Sequence, residues 1–376
     1  MEQRIRFPPF ESYRFIASEL PIATKRIVLE NGKKGELIKT LSERVPSFRL
    51  GGEDTWLIEQ RYLLDGKVFD DSQIERTTNL LDHSEQPLVV NKQRTGWYLT
   101  PNPIHSAVRR FISTTVVILL VVLGYLFVEP LLNSFGIPGI GTGTVRIGAL
   151  DYPMLAVIII PLLFLPLALR VGANLADLVQ QQNFVKSSPE TPIVEIIGKP
   201  SAGNPLRLKI QLPEIRDDWH DIQVTWRVGA LSPARDEVFR SLGHEETKQP
   251  PPGLTTELPH HWEIGLDDGT GGGEEAPMER REVKGGLFLR PMRVMEFGGK
   301  SELKEEEIIL KAPKLNWPGT VSSSIIRIHW ELIVSIQRQK GGPLLWVLPL
   351  AVRHQKHNSL IELPPTNDGR TESDSV

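Results

Sequence analysis

The stretch from Ile325 to Gln337, IIRIHWELIVSIQ, puts Ile326, Ile328, Trp330, Leu332, Val334 and Ile336 on one side of an extended chain. Arg327, His329, Glu331, Ile333, Ser335 and Gln337 fall on the other. A period of two with one apolar and one mostly polar face predicts a half-buried strand of antiparallel sheet. The pattern recurs upstream, with Leu206, Leu208, Ile210 and Leu212 alternating in PLRLKIQL and Ile222, Val224, Trp226 and Val228 in DIQVTWRV. Several such strands separated by turns predict an all-β sandwich over residues 192–353. Its core is expected at Leu208, Ile210, Val224, Trp226, Ile328, Trp330, Leu332 and Val334. Residues 241–280 break the pattern with QPPPG and DDGTGGGEE, a composition that buries too little apolar surface to order itself, so a mobile loop is expected there. The polar end, 354–376, is expected to be a disordered tail.

Upstream of the sandwich lie two uncharged runs, FISTTVVILLVVLGYLFV from Phe111 to Val128 and YPMLAVIIIPLLFLPLAL from Tyr152 to Leu169. Each would span about 27 Å as a helix, close to the thickness of a bilayer core. The expectation is a two-span α-helical membrane hairpin: helices over 107–132 and 151–170, joined by a short exoplasmic connector over 133–150. Pro153, Pro161 and Pro166 should kink the second helix. Basic residues flank the runs (Arg109, Arg110 and Arg170, with Lys186 beyond), whereas the connector has one base, Arg146. The bias of Lys and Arg toward cytoplasmic loops then places both termini in the cytoplasm, at a plasma or bacterial inner membrane. The expected membrane-anchoring residues are Arg109, Arg110, Phe111, Val128, Glu129, Tyr152, Pro161, Pro166 and Arg170. Beyond them, 171–191 reads as a juxtamembrane helix and linker, with Val171, Leu175, Leu178 and Val179 on one side.

Residues 1–106 read as a small mixed or mostly β cytoplasmic domain. Asn31-Gly32 and Asp65-Gly66 sit between apolar stretches and predict hairpins. Trp56, Ile58, Tyr62 and Leu64 share a face that Gln60 interrupts.

In the C-terminal part, the residues also carry a family likeness. The LPE step at Leu212 to Glu214, the strand through Trp226, KAPKLNWPG at Lys311 to Gly319, and HWELIVSI followed by LLWVLPLAV resemble an arrestin-like β-sandwich. Such domains are appended to bacterial membrane proteins of unknown activity. The resemblance covers about residues 192–353 and departs at the long 241–280 insertion. It implies a scaffold or adaptor, with function on exposed edges and loops.

Composition narrows the chemistry. The chain has 376 residues, a net charge of -3 and no cysteine, so it offers no overall basic field for nucleic acid, no thiolate metal site and no disulfide. His244, Glu245, Glu246, His260, His261, Glu263, Asp267 and Asp268 cluster in sequence, but HEET is not the HExxH spacing of a zinc helix. No GxSxG elbow occurs; Ser322, Ser323 and Ser324 read as turn residues, and Asp217-Asp218 and Glu305 to Glu307 as solvated charge. The C-terminal SDSV reads as a tail without a partner. We therefore expect no catalytic, cofactor or metal residues. The expected protein is a non-enzymatic integral membrane scaffold or adaptor whose partners are the lipid bilayer and other proteins, with homo-oligomerisation open. The alternative is a subunit of an oligomeric pore or transport complex lined by the Pro-rich run.

Overall fold

A computed structural model describes residues 1–9, 12–28, 34–72, 74, 94–100, 104–136, 143–233, 235–243, 262–264, 279–281, 287–289, 292–304, 307–339 and 342–367. In chain order the first elements are β1 (Glu2–Arg6), β2 (Ala23–Arg26), α1 (Lys34–Arg44), β3 (Phe48–Gly51), β4 (Leu57–Leu64), β5 (Lys67–Phe69) and β6 (Gly96–Leu99). Then come α2 (Ile104–Ser134), β7 (Thr144–Ile147), β8 (Leu150–Pro153) and α3 (Met154–Lys186). The rest is β9 (Ile193–Ile196), β10 (Leu206–Gln211), β11 (Trp219–Leu231), α4 (Arg235–Ser241), β12 (Trp262–Ile264), β13 (Glu279–Arg281) and β14 (Leu287–Phe288). It continues through β15 (Val294–Glu302), β16 (Ile308–Leu310), β17 (Val321–Ser322), β18 (Arg327–Arg338), β19 (Leu344–Leu350) and β20 (Ser359–Ile361).

Among the described residues the protein is mostly β, with 37% of them in strands, and the chain divides into two compact units: 1–100 with 187–376, and 101–186. This corrects the division of the first unit into an N-terminal domain ending at 106 and a separate sandwich starting at 192. Two strands interleave the regions. β6, from the N-terminal side, pairs with β19 in a seven-stranded sheet ordered β14-β6-β19-β18-β11-β15, with β17 on β18. β20, from the C-terminal end, pairs in parallel with β3 in the sheet β2-β1-β4-β3-β20, where β5 also pairs β4. The disordered tail is corrected with it: beyond β20, Asn367 donates from Nδ2 to the Met292 carbonyl at 2.6 Å, while 368–376 lie outside the described residues.

Local chemistry accounts for the N-terminal sheet. At the tip of β4–β5, Asp65 (φ 49°) and Gly66 (φ 81°) are both left-handed, as a two-residue hairpin turn requires. The hairpin expected at Asn31-Gly32 is corrected in part: 29–33 lie outside the described residues, and the GELIKT that follows is helical, in α1. Glu, Leu and Lys favour helix there, and only a hairpin partner would have held that segment extended. Gln60, the polar interruption in β4, is buried because its Oε1 accepts from Gln3 Nε2 at 2.9 Å on the neighbouring strand.

β18 is not half-buried. Its apolar side is closed, with Trp226 and Trp330 centroids 5.0 Å apart and their indoles donating to the carbonyls of Lys311 and Pro318. Its polar side is closed too: His329, Glu331 and Ser335 are buried alongside Ile333, beside a cluster of Tyr98, Leu289, Leu345 and Val347. A three-stranded sheet, β16-β10-β9, buries Leu206, Leu208, Ile308 and Leu310.

The two-span hairpin is also corrected. In unit 101–186, α2 and α3 are linked through the β7–β8 hairpin, which turns at Gly148 (φ 65°). Among the described residues one helix, Ile159–Lys186, is long and apolar enough to cross a membrane. The apolar stretch Thr114–Glu129 of α2 falls short of that length. The uncharged runs alone overstated the symmetry of the pair. α3 also continues unbroken from Met154 through Pro161 and Pro166 to Lys186, absorbing both prolines and the expected juxtamembrane segment.

Candidate functional site

Two features of the β unit gather charged and aromatic groups. The first lies inside the seven-stranded sheet, on the side of β18 that the sequence presents as polar. β11 and β18 are paired so that Arg227 stands directly opposite Glu331. Arg94, just before β6, reaches the same carboxylate from the far side. Arg94 donates through Nε to Oε2 at 2.8 Å and through a terminal nitrogen to Oε1 at 2.9 Å, a two-pronged grip that fits a planar guanidinium to a carboxylate. Arg227 Nε donates to Oε1 at 2.6 Å, and His329 Nε2 stands 3.1 Å from Oε2. Arg94, Arg227 and Glu331 are each 0% exposed. Arg227 also lies 5.4 Å from the centre of the Phe297 ring and points a terminal nitrogen at Met295 Sδ, 3.7 Å away.

The electrostatics follow from burial and neighbours together. Burial by itself would raise the Glu331 pKa, but Arg94 and Arg227, with hydrogen bonds from His329 and Arg94, overcome it and hold the carboxyl well below its usual range. Burial lowers the His329 pKa; Glu331 pulls the other way, and the two guanidiniums add to the lowering, so the imidazole is neutral at pH 7. Burial pushes the Tyr98 phenol up. The cluster is an ionised carboxylate clamped by arginines inside a closed sheet. That arrangement fixes strand register and the position of Arg94, and it presents its charges to one another instead of to solvent.

The second feature is a collar at one tip of the same sheet, where β11 and β19 begin and β6 and β18 end. Thr100, which follows β6, donates from Oγ1 to the Pro343 carbonyl at 2.8 Å. Next to it, Arg338 donates from Nε (3.0 Å) and a terminal nitrogen (2.8 Å) to the Gly342 carbonyl. Trp97 and Trp219 meet with centroids 6.1 Å apart, and Arg216 lies 5.8 Å from the Trp219 ring. Arg216 in turn donates to the Ser187 carbonyl at 2.9 Å and to Glu214 Oε1 at 2.5 Å, while Glu214 Oε2 accepts the Glu190 amide at 3.0 Å. Thr100 and Ser187 are the residues where the β unit gives way to the helical one. Within the β unit these contacts hold Thr100 and Ser187.

In the helical unit the surface is apolar: Val117, Leu120, Val121, Leu123 and Phe127 on α2, and Ile160, Phe164, Leu167, Val171 and Leu175 on α3, are all largely exposed. Continuous apolar surface on this scale marks an interaction with lipid or protein.

The residues singled out from the sequence fall as follows. Leu208, Val224, Trp226, Ile328, Trp330, Leu332 and Val334 are buried, and Ile210 is half-buried. Phe111 and Glu129 are half-buried, Val128, Tyr152, Pro161 and Arg170 are exposed, and Pro166 is buried. Arg109 and Arg110 lie in α2. Of the His and acid cluster, His244, Glu245, Glu246, His260, His261, Asp267 and Asp268 lie outside the described residues, and Glu263 is in β12. Among the described residues no group of three or more His, Asp or Glu could hold a metal ion. Ser324 accepts from Lys25 Nζ at 2.8 Å, Ser323 closes a turn with Ile326, and Glu307 pairs with Arg207.

Sequence reasoning missed Arg94, Arg227, His329 and Glu331 as a group. The alternation in IIRIHWELIVSIQ assigned His329 and Glu331 to solvent, and nothing local links them to Arg94, 237 positions away from Glu331. The available signal was that the same face also carries Ile333. Compared with known proteins, the chain matches no family model and no curated sequence. The arrestin-like resemblance thus rests on the residues that suggested it.

Proposed function

We propose that this protein is a non-enzymatic, membrane-anchored scaffold: the helical unit sits in lipid, and the β unit binds other proteins. The observation that carries this reading is the exposed apolar surface of 101–186 joined to a β unit whose buried charges are engaged with one another. Both ends of the helical unit lead into the same β unit. Arg109, Arg110, Arg170 and Lys186 beside the apolar stretches favour the cytoplasmic side of a plasma membrane. The arrestin-like resemblance of 192–353 supports the adaptor role, with partners engaged through edges and loops.

The test is fractionation of cells expressing the full chain. The protein should stay with membranes in alkaline carbonate and need detergent for release. Phe164→Arg together with Leu167→Arg, each costing about 2.5–3.5 kcal/mol at mid-membrane, should shift it to the soluble or degraded fraction. Release of the unaltered chain by carbonate would refute the lipid reading. Turnover of a small-molecule substrate by the purified protein would refute the non-enzymatic one.

A further inference from the structure

One edge of the β unit is open where its neighbours are closed. In the three-stranded sheet β16-β10-β9, β9 is the last strand, and it pairs with β10 without a bulge, from Ile193 opposite Gln211 to Ile196 opposite Leu208. Just beyond it the Ile197 N–H donates to the Arg207 carbonyl at 2.9 Å, which sets the alternation of the antiparallel ladder. Ile193, Glu195 and Ile197 turn their backbone groups toward β10, and Val194 and Ile196 turn theirs away. Among the described residues nothing bonds to that far side. The side chains stop there too. In the inward-facing row Ile308 is 1% exposed and Leu208 0%, but Ile196, the last member, is only half-buried, as is Val194 opposite Ile210. Nearby edges are covered. β16 is joined to β15 where the Gly299 N–H donates to the Lys311 carbonyl at 2.7 Å. β15 is flanked in turn by the chain's last described residues, with the Met295 N–H on the Pro365 carbonyl at 3.2 Å and the Asn367 N–H on the Arg293 carbonyl at 2.8 Å. β9 carries no proline, lysine or bulge, the devices that usually blunt an exposed edge.

We propose that β9 is the docking edge of the scaffold, taking an extended segment of a partner protein as a further antiparallel strand that reads apolar, basic, apolar opposite Ile196, Glu195 and Val194. This rests on the reading of the β unit as a protein-binding scaffold. A row of outward N–H and C=O groups is matched by another extended backbone, and alternate side chains supply the specificity. The antiparallel direction continues the sheet, whose two existing pairings are both antiparallel. The apolar positions continue the inward row that ends half-buried at Val194 and Ile196. The basic position follows from charge. Glu195 is exposed on the outward face with Lys209 directly opposite it on β10, so a base on the new strand extends the alternation of sign across the sheet. A second copy of β9 fits worse: the antiparallel register with the fullest overlap sets Val194 against Ile196 and Glu195 against Glu195, like charges directly opposed.

The probe is a fluorescein-labelled peptide, Ser-Thr-Val-Lys-Val-Thr-Ser, titrated against the full chain in detergent and followed by anisotropy. It should bind saturably below about 1 mM. The same peptide with its valine amides N-methylated cannot donate to the edge and should bind about tenfold more weakly. Val194→Pro removes one outward donor and spares the ladder to β10, a change an edge strand tolerates; it should weaken the probe about tenfold while the urea midpoint stays that of the parent. Glu195→Lys should weaken the probe about fivefold and reverse the preference toward Ser-Thr-Val-Glu-Val-Thr-Ser, a swap that misfolding does not produce. No saturable binding, or binding indifferent to N-methylation, Val194→Pro and Glu195→Lys, overturns the docking edge and leaves the scaffold reading to its own fractionation test. A two-chain mass by light scattering that Val194→Pro reduces to one would put a second copy on the edge and overturn the partner segment. Edge-dependent binding by a chain that carbonate strips from membranes would sink the lipid reading and leave the docking edge standing.

Discussion

Replacing Glu331 by Gln tests the most heavily constrained part of the molecule. The substitution keeps the shape and one acceptor oxygen but deletes the charge that faces Arg94, Arg227 and His329. Glu331 takes two bonds from Arg94, at 2.8 and 2.9 Å, and Arg227 Nε approaches it at 2.6 Å, all at groups 0% exposed. Removing one partner of a buried ion pair costs about 3–5 kcal/mol, because the remaining charges have been taken out of water without their counter-ion. That is a large share of the roughly 5–15 kcal/mol that holds a folded domain together. With a urea slope of about 3 kcal/mol per molar, the unfolding midpoint, followed by tryptophan fluorescence of the detergent-solubilised chain, should fall by about 1–1.7 M. Glu307→Gln is the control. Its partner is Arg207, the pair is 55% and 35% exposed, and the loss should stay within about 1 kcal/mol. A Glu331→Gln midpoint within 0.2 M of the parent, or a loss no larger than that of Glu307→Gln, would refute the reasoning. The combined change Arg94→Met, Arg227→Met and Glu331→Leu should recover much of the loss, because apolar groups of similar volume can replace a buried triad with little penalty.

Other expectations follow from the same contacts. His329 has a folded pKa below the ordinary 6.5, so its contribution is fully present above that value and is lost as pH falls below it; Glu331 adds a second loss below its ordinary 4.5. Stability measured from pH 8 to 5 should fall with acid, and His329→Gln should flatten that slope; an unchanged slope would count against it. Gly298→Ala places a methyl 2.3 Å from Trp226 Nε1, displacing the indole that bonds Lys311, and should cost about 2–3 kcal/mol, seen as a thermal midpoint roughly 5–10 °C lower. Arg216→Met releases the Ser187 carbonyl and Glu214 at the collar; because the side chain is one-third exposed, the loss is about 1 kcal/mol. Trypsin should then cut after Lys186 roughly fivefold faster, and an unchanged rate would show that the linker is held by other means.

The sequence by itself determined the strands whose alternation is local. Leu208, Val224, Trp226 and Trp330 show in the period of two because side chains of a strand point alternately to opposite faces, whatever the rest of the chain does. It also determined the Asp65-Gly66 turn and the apolar character of 111–128 and 152–169, which depend only on neighbouring residues. Tertiary structure alone decided which faces close. His329 and Glu331 alternate as solvent residues do, and they are buried because Arg94 and Arg227 arrive from distant strands to neutralise the carboxylate. Only the fold could show that β6 and β20 stitch the two ends of the chain into one unit, since strand pairing joins residues hundreds of positions apart and leaves no local periodicity. The helices divide along the same line. The apolar character of both runs was plain from composition, while their unequal lengths as apolar helices and the two sides of α3, one buried at Asp177 and one exposed at Leu178, appear only in the structure.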